Sequence, residues 1–129
     1  MSSVSTEIIN SIQQSKIIVV LVIEDDSKAS DLIDCLYDSG IKNYEIALRT
    51  NKSRKSADII LKKGLDINLG LGTVLTIDDV NFAADIGANF ALAPGTNKTV
   101  IDEANRLNLP FFPGVCTPSD IEKANELGC

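Results

Sequence analysis

The rhythm of apolar positions changes several times along this chain. Residues 16–23 read KIIVVLVI, a continuous β-branched run that predicts a parallel strand covered on both faces. Before it, Ile8, Ile9 and Ile12 recur at helical spacing, and Ser5 stands where it caps a short helix to about Gln14. After it, Ser27 precedes Ala29, Leu32, Ile33 and Leu36, again at helical spacing, with Gly40 placed to end the helix. The same grammar then repeats. A strand at 44–48 leads to a helix at 53–63 that ends at Gly64, and a strand at 67–71 to a helix at 77–86 that ends at Gly87. A strand at 89–92, a helix at 98–107, a strand at 110–113 and a last helix to about Leu127 complete the pattern. Thr76 with Asp79, and Thr117 with Pro118 and Asp120, predict two capped helix starts.

Strands beginning at residues 16, 44, 67, 89 and 110 alternate with helices, which predicts an α/β fold with a parallel sheet and right-handed crossovers. No linker divides the chain, so residues 1–129 are expected to form one domain. Gly40, Gly64 and Gly87 each precede a strand by a few residues, whereas the chain ends one residue after Gly128. The expectation is a fold cut just before a sixth strand.

Alternation within strands places candidate chemistry. Glu45, Ala47 and Arg49 share one face of the second strand, while Tyr44, Ile46 and Leu48 share the other. The apolar set must meet the helices. That leaves a carboxylate and a guanidinium on the opposite side, with Arg49 at the carboxyl end of a parallel strand, where α/β active sites lie. A structural ion pair inside the sheet is the competing explanation. Gly70 and Gly72 on the third strand, and Ala91 and Ala93 on the fourth, predict small inward residues that leave room for a ligand.

Composition narrows the chemistry. The chain is 44% apolar and 23% charged, ordinary for a globular domain, and its net charge of −6 with two Tyr and four Phe argues against nucleic acid as a partner. No apolar run suits a membrane span and the start lacks the pattern of a signal peptide, so a cytoplasmic protein is expected. Three cysteines, Cys35, Cys116 and Cys129, lack metal-ligand spacing and are expected as free thiols. With no histidine, proton transfer falls to carboxylates, lysines or water.

The segments YEIALRT (44–50), LGLGTVL (69–75), FALAPG (90–95) and FFPGVCTPSD (111–120) resemble successive strand-end motifs of one enzyme family. These are the aldolases that cleave 2-keto-3-deoxy-6-phosphogluconate (KDPG) or 4-hydroxy-2-oxoglutarate (KHG). The resemblance covers essentially the whole chain. It implies a (β/α)8 or TIM barrel truncated to about five parallel βα units, and a Schiff-base reaction without cofactor or metal. KDPG would yield pyruvate and glyceraldehyde 3-phosphate; 4-hydroxy-2-oxoglutarate would yield pyruvate and glyoxylate. By the same resemblance Glu45 is the catalytic carboxylate, Arg49 binds the carboxylate of the 2-keto acid, and Thr73 and Pro94 contact substrate. A homo-oligomer, a trimer, is implied as well.

The family's Schiff-base lysine lies on the sixth strand in a Lys-Phe-Phe-Pro type motif. Phe111, Phe112 and Pro113 are present here, but Pro110 occupies the lysine's place, and none of the nine lysines falls in the carboxyl half of a predicted strand. The chain alone is therefore expected to be inactive. Two other readings stay open: a noncatalytic half-barrel that binds a partner through its open edge, and a metal-dependent aldolase or hydratase using Glu24, Asp25 and Asp26 with Glu45. Cys116 is a poor nucleophile without histidine, and a small packed thiol is expected there.

Overall fold

The computed structural model describes residues 6–129. Helix α1 (Thr6–Ser15) precedes strand β1 (Val19–Leu21), and α2 (Ala29–Asp38), β2 (Asn43–Ala47), α3 (Ser53–Leu61) and β3 (Asn68–Gly72) follow. Then come α4 (Ile77–Asp85), β4 (Phe90–Leu92), α5 (Lys98–Arg106), β5 (Phe111–Phe112) and α6 (Pro118–Glu126). All five strands pair in parallel and in chain order. The predicted βα repeat is present throughout. No described helix is long and apolar enough to cross a membrane.

Local signals account for most boundaries. Thr76 with Asp79 and Thr117 with Asp120 form reciprocal capping boxes, each satisfying backbone donors that the first helical turn leaves unpaired. Gly40, Gly64 and Gly87 adopt φ of 84°, 65° and 76°, the left-handed conformation that terminates α2, α3 and α4 at no steric cost. Ser27, however, is not the cap of the second helix. Asp25 accepts from the Ser27 N–H (3.1 Å) and opens a short 3-10 turn, Asp26–Lys28, that runs into α2. Ser5, read as the cap of the first helix, lies outside the described residues. Within α1 the three isoleucines do not share one buried face, because Ile8 is buried while Ile9 is exposed.

The core lies between the sheet and its helices. Tyr44, Ile46, Leu69, Leu71, Ala91 and Phe111 pack from the strands against Ile33, Ile60, Val80 and Ile101 from the helices. The other face of the sheet is different. Only residues 19–21 of the predicted first strand pair with β2, and Val20 and Val22 are 54% and 49% exposed. The expectation that this strand is covered on both faces is therefore wrong: helices cover one face only. At the amino-terminal end of the sheet, Asn43 is fully buried, accepts from Ser11 Oγ (2.9 Å) and Asn68 Nδ2 (2.8 Å), and donates to Ser15 Oγ (2.7 Å). These bonds fasten α1 across that end and satisfy a buried amide that would otherwise cost stability.

The fourth strand presents the opposite face from the one expected. Glu45, Gly70 and Phe90 are register partners, and a Cβ at Gly70 would stand 2.0 Å from the Phe90 ring. Phe90 and Leu92, rather than Ala91 and Ala93, therefore share the face of Glu45. Ala91 is buried in the helix-side core. Phe90 meets Phe112 edge to face at 5.9 Å, closing this inner surface with aromatic rings.

Candidate active site

Glu45, Arg49, Thr73, Leu92, Ala93 and Pro94 line one cleft of about 210 Å³ beyond the carboxyl ends of β2, β3 and β4. The four residues singled out in the sequence thus come together. A neighbouring hollow of about 350 Å³ shares Ala93 and Pro94, but its lining of Val74, Leu75, Gly95, Thr96 and Asn97 adds no ionisable group. The ionisable side chains, Glu45 and Arg49, line the smaller cleft.

Each side chain has a structural reason for its place. Glu45 projects from β2 onto the inner face, and its carboxylate lies where a side chain on Gly72 would be: an added Cβ would fall 1.7 Å from Oε1. Neither a hydrogen bond nor an ion pair within 4.0 Å engages this carboxylate among the described residues. Its pKa is raised above the ordinary 4.5, chiefly because burial disfavours the charged form, with the positive charge of Arg49 acting in the opposite direction.

Regular alternation does not carry Arg49 into the cleft, because β2 ends at Ala47. The Arg49 N–H turns back to the Ala47 carbonyl (2.8 Å), and the following loop is pinned on both sides. Thr50 Oγ1 donates to the Ile23 carbonyl (2.6 Å), and Ser53 Oγ donates to the Ala47 carbonyl (2.8 Å). From this anchored turn the exposed Arg49 side chain reaches Thr73, its Nε donating to Oγ1 at 3.3 Å. The terminal guanidinium nitrogens carry donors in a planar fork suited to a carboxylate.

Thr73 has φ of 60°, a conformation rarely adopted by a β-branched residue. Such strain persists only where neighbours enforce it. Here the Leu48 N–H bonds the Gly72 carbonyl (2.8 Å) and the Val74 N–H bonds the Leu92 carbonyl (3.0 Å), holding the chain on both sides of Thr73. Pro94 is held by the next loop. A Cβ at Gly114 would meet the Pro94 carbonyl oxygen at 2.2 Å, and Thr96 Oγ1 donates to the Gly114 carbonyl at 2.9 Å. Gly114 is not singled out by the sequence, and Gly72, which the sequence marks as room for a ligand, instead receives the Glu45 side chain. Small residues opposite a long functional side chain were the available signal for Gly72.

The acidic loop does not join this cleft. Asp25 is engaged with Ser27, Asp26 forms ion pairs with Lys52 (3.4 Å) and Lys55, and Glu24 is exposed. Among the described residues no group of three or more Cys, Asp or Glu is placed to hold a metal ion. The carboxylates at 24–26 thus do not combine with Glu45 as a metal-dependent mechanism would require. Cys116 is exposed rather than packed, as are the other two free cysteines, Cys35 and Cys129.

Seven of the nine lysines are ion-paired. Lys28, Lys42, Lys52, Lys55, Lys62, Lys63 and Lys98 face Asp25, Asp66, Asp26, Asp26, Asp58, Asp34 and Asp102 respectively. Lys16 and Lys123 are exposed. No lysine lines the Glu45 cleft.

Known proteins resemble this chain along most of its length. The chain is 31% identical over 128 residues to the 2-dehydro-3-deoxy-phosphogluconate aldolase of Haemophilus influenzae, covering 99% of this chain and 60% of that protein. It is also 31% identical over 121 residues to the corresponding aldolase of Treponema pallidum, covering 94% and 58%. The crystal structure of KDPG aldolase from Legionella pneumophila, with pyruvate captured as a covalent carbinolamine intermediate, superposes with a TM-score of 0.82 at 28% identity. That match covers 87% of this chain and 54% of the Legionella chain. The chain thus spans a little over half the length of these relatives, and its five βα units are of the TIM-barrel type. Residues 8–129 match the family model described as KDPG and KHG aldolase, and the chain belongs to that family of carbon-carbon lyases.

Proposed function

We propose that this chain supplies the keto-acid-binding and proton-transfer portion of a Schiff-base aldolase acting on KDPG, 4-hydroxy-2-oxoglutarate or both. The observation that carries the proposal is the meeting of Glu45 and Arg49 in one cleft at the strand ends. Arg49, steadied by Thr73, presents its fork to the substrate carboxylate and fixes the adjacent keto carbon. Pro94 shapes the facing wall. A lysine amine attacks that carbon to form a carbinolamine, which loses water to give an iminium. Glu45 removes the proton of the C4 hydroxyl as the C3–C4 bond breaks; the bonding pair passes into the iminium, giving an enamine and releasing the aldehyde. Returning the proton to C3 restores the iminium, and water then frees pyruvate and the amine. A carboxyl group with a burial-raised pKa suits both proton transfers.

The amine is proposed to come from outside the described residues. Among the described residues no lysine lines the cleft that holds Glu45 and Arg49, so none is placed to attack a keto carbon held there. The 129-residue chain by itself is therefore proposed to be inactive, and the working enzyme to be a homo-oligomer.

The test is a chimera in which residues 1–129 are followed by the carboxyl-terminal remainder of the Haemophilus influenzae relative. It should cleave one or both substrates. Arg49→Ala should raise KM about 10- to 150-fold, the equivalent of roughly 1.5–3 kcal/mol for a hydrogen bond to a charged partner. Glu45→Gln should lower kcat by roughly 10²–10⁴-fold. A folded chimera with neither activity would contradict the aldolase reading and favour a noncatalytic half-barrel.

A further inference from the structure

We propose that Gly72 is a positioning residue for Glu45: its bare α-carbon provides the recess in β3 where the Glu45 carboxylate rests. The proposal deepens the reading of Glu45 as the proton carrier, and it stands on three observations. First, a Cβ at Gly72 would lie 1.7 Å from Glu45 Oε1, 2.5 Å from Cδ and 2.8 Å from Cγ. The whole distal half of the side chain occupies that space. Second, the backbone of Gly72 does not itself demand glycine. The glycines with positive φ are Gly40, Gly64, Gly87 and Gly128, and the Gly72 carbonyl that accepts from Leu48 is available in any residue. Third, the Glu45 carboxylate is not fixed by a polar partner among the described residues, so packing against β3 sets its position.

The consequence for chemistry is direct. An alanine at 72 drives the Glu45 side chain out of its recess and into the open cleft that it shares with Arg49. There the carboxylate regains water and approaches the guanidinium, and both changes favour its ionised form. Gly72 thereby keeps Glu45 sheltered, in the surroundings whose burial holds its carboxyl above the ordinary range. Gly70, two residues earlier, serves the Phe90 ring instead, so the two glycines are not interchangeable.

The experiment compares the 129-residue chain with its Gly72→Ala variant by ¹³C NMR titration of side-chain carboxyls, the Glu45 signal being assigned from its absence in Glu45→Gln. The Glu45 midpoint should lie above the ordinary carboxylate range in the parent and return toward that range in Gly72→Ala. An unchanged midpoint in a folded Gly72→Ala variant would overturn the proposal. If Gly72→Ala does not fold, the same substitution is made in a Glu45→Ala background, where it should be tolerated. A loss of stability that is the same with and without the Glu45 side chain would also overturn it. In the chimera, Gly72→Ala should lower kcat by about 10²-fold and shift the pH profile. The titration and the stability cycle need no substrate. Inactivity of the unsubstituted chimera would count against the aldolase reading alone.

Discussion

Phe90 offers a severe quantitative check on the inner face of the sheet. Its side chain is fully buried, lies against the bare α-carbon of Gly70 and stacks edge to face on Phe112. Phe90→Ala should cost about 3–5 kcal/mol, the usual loss for emptying an aromatic core site, and the lost pairing with Phe112 accounts for about 0.5–1.5 kcal/mol of it. That is a large share of the roughly 5–15 kcal/mol that stabilises a typical domain. Gly70→Ala places a methyl group 2.0 Å from Phe90 Cε2 and should cost about 1–3 kcal/mol through overpacking. Combined, the two costs should not add. The methyl group enters space that the ring has vacated, so Gly70→Ala should be neutral or stabilising in the Phe90→Ala background. Urea unfolding monitored by circular dichroism reads all four corners of the cycle, with constant m-values as the check on two-state behaviour. Additive costs would show that Gly70 answers to something other than the ring, and would refute the assignment of Phe90 to the face of Glu45.

The remaining predictions concern the cleft. Because the Glu45 pKa is higher in the folded chain than its ordinary 4.5, the stability linked to its protonated form is complete below 4.5 and is lost as pH rises through the raised value. Glu45→Gln should therefore gain stability relative to the parent across that window, read as the difference between two unfolding free-energy profiles; a pH-independent difference would contradict the burial of this carboxyl. Thr73→Asn should raise stability by about 1 kcal/mol, since asparagine accepts a left-handed backbone that strains threonine by about 1–3 kcal/mol; a loss of that size would show that Thr73 is unstrained. The isolated chain should self-associate through its open strand edges and the exposed Val20 and Val22, and a compact monomer over a wide concentration range in sedimentation would count against this.

What could be read from the sequence was local, and what could not was set by pairing. The helix ends at Gly40, Gly64 and Gly87 and the boxes at Thr76 and Thr117 are written within four or five residues, so they were legible. The face of Glu45 was legible because Tyr44 and Ile46 leave only one apolar side on β2. On β4 both alternating sets, Phe90 with Leu92 and Ala91 with Ala93, are apolar, and only the register with β3 decides between them. The run at 16–23 predicts a long strand, yet only the length that finds β2 becomes one. In the sequence Gly70 and Gly72 predict room for a ligand. The space exists, but Phe90 and Glu45 fill it, a contact between strands that periodicity within one strand does not encode.

The central claim, that these residues hold the keto acid and manage its protons while the amine lies elsewhere, is tested most directly by trapping with pyruvate and borohydride followed by mass spectrometry. The 129-residue chain should carry no specific adduct, and the chimera with the Haemophilus influenzae remainder should carry one per chain, on a lysine outside residues 1–129. A stoichiometric pyruvate adduct on any of the nine lysines of this chain would contradict the account.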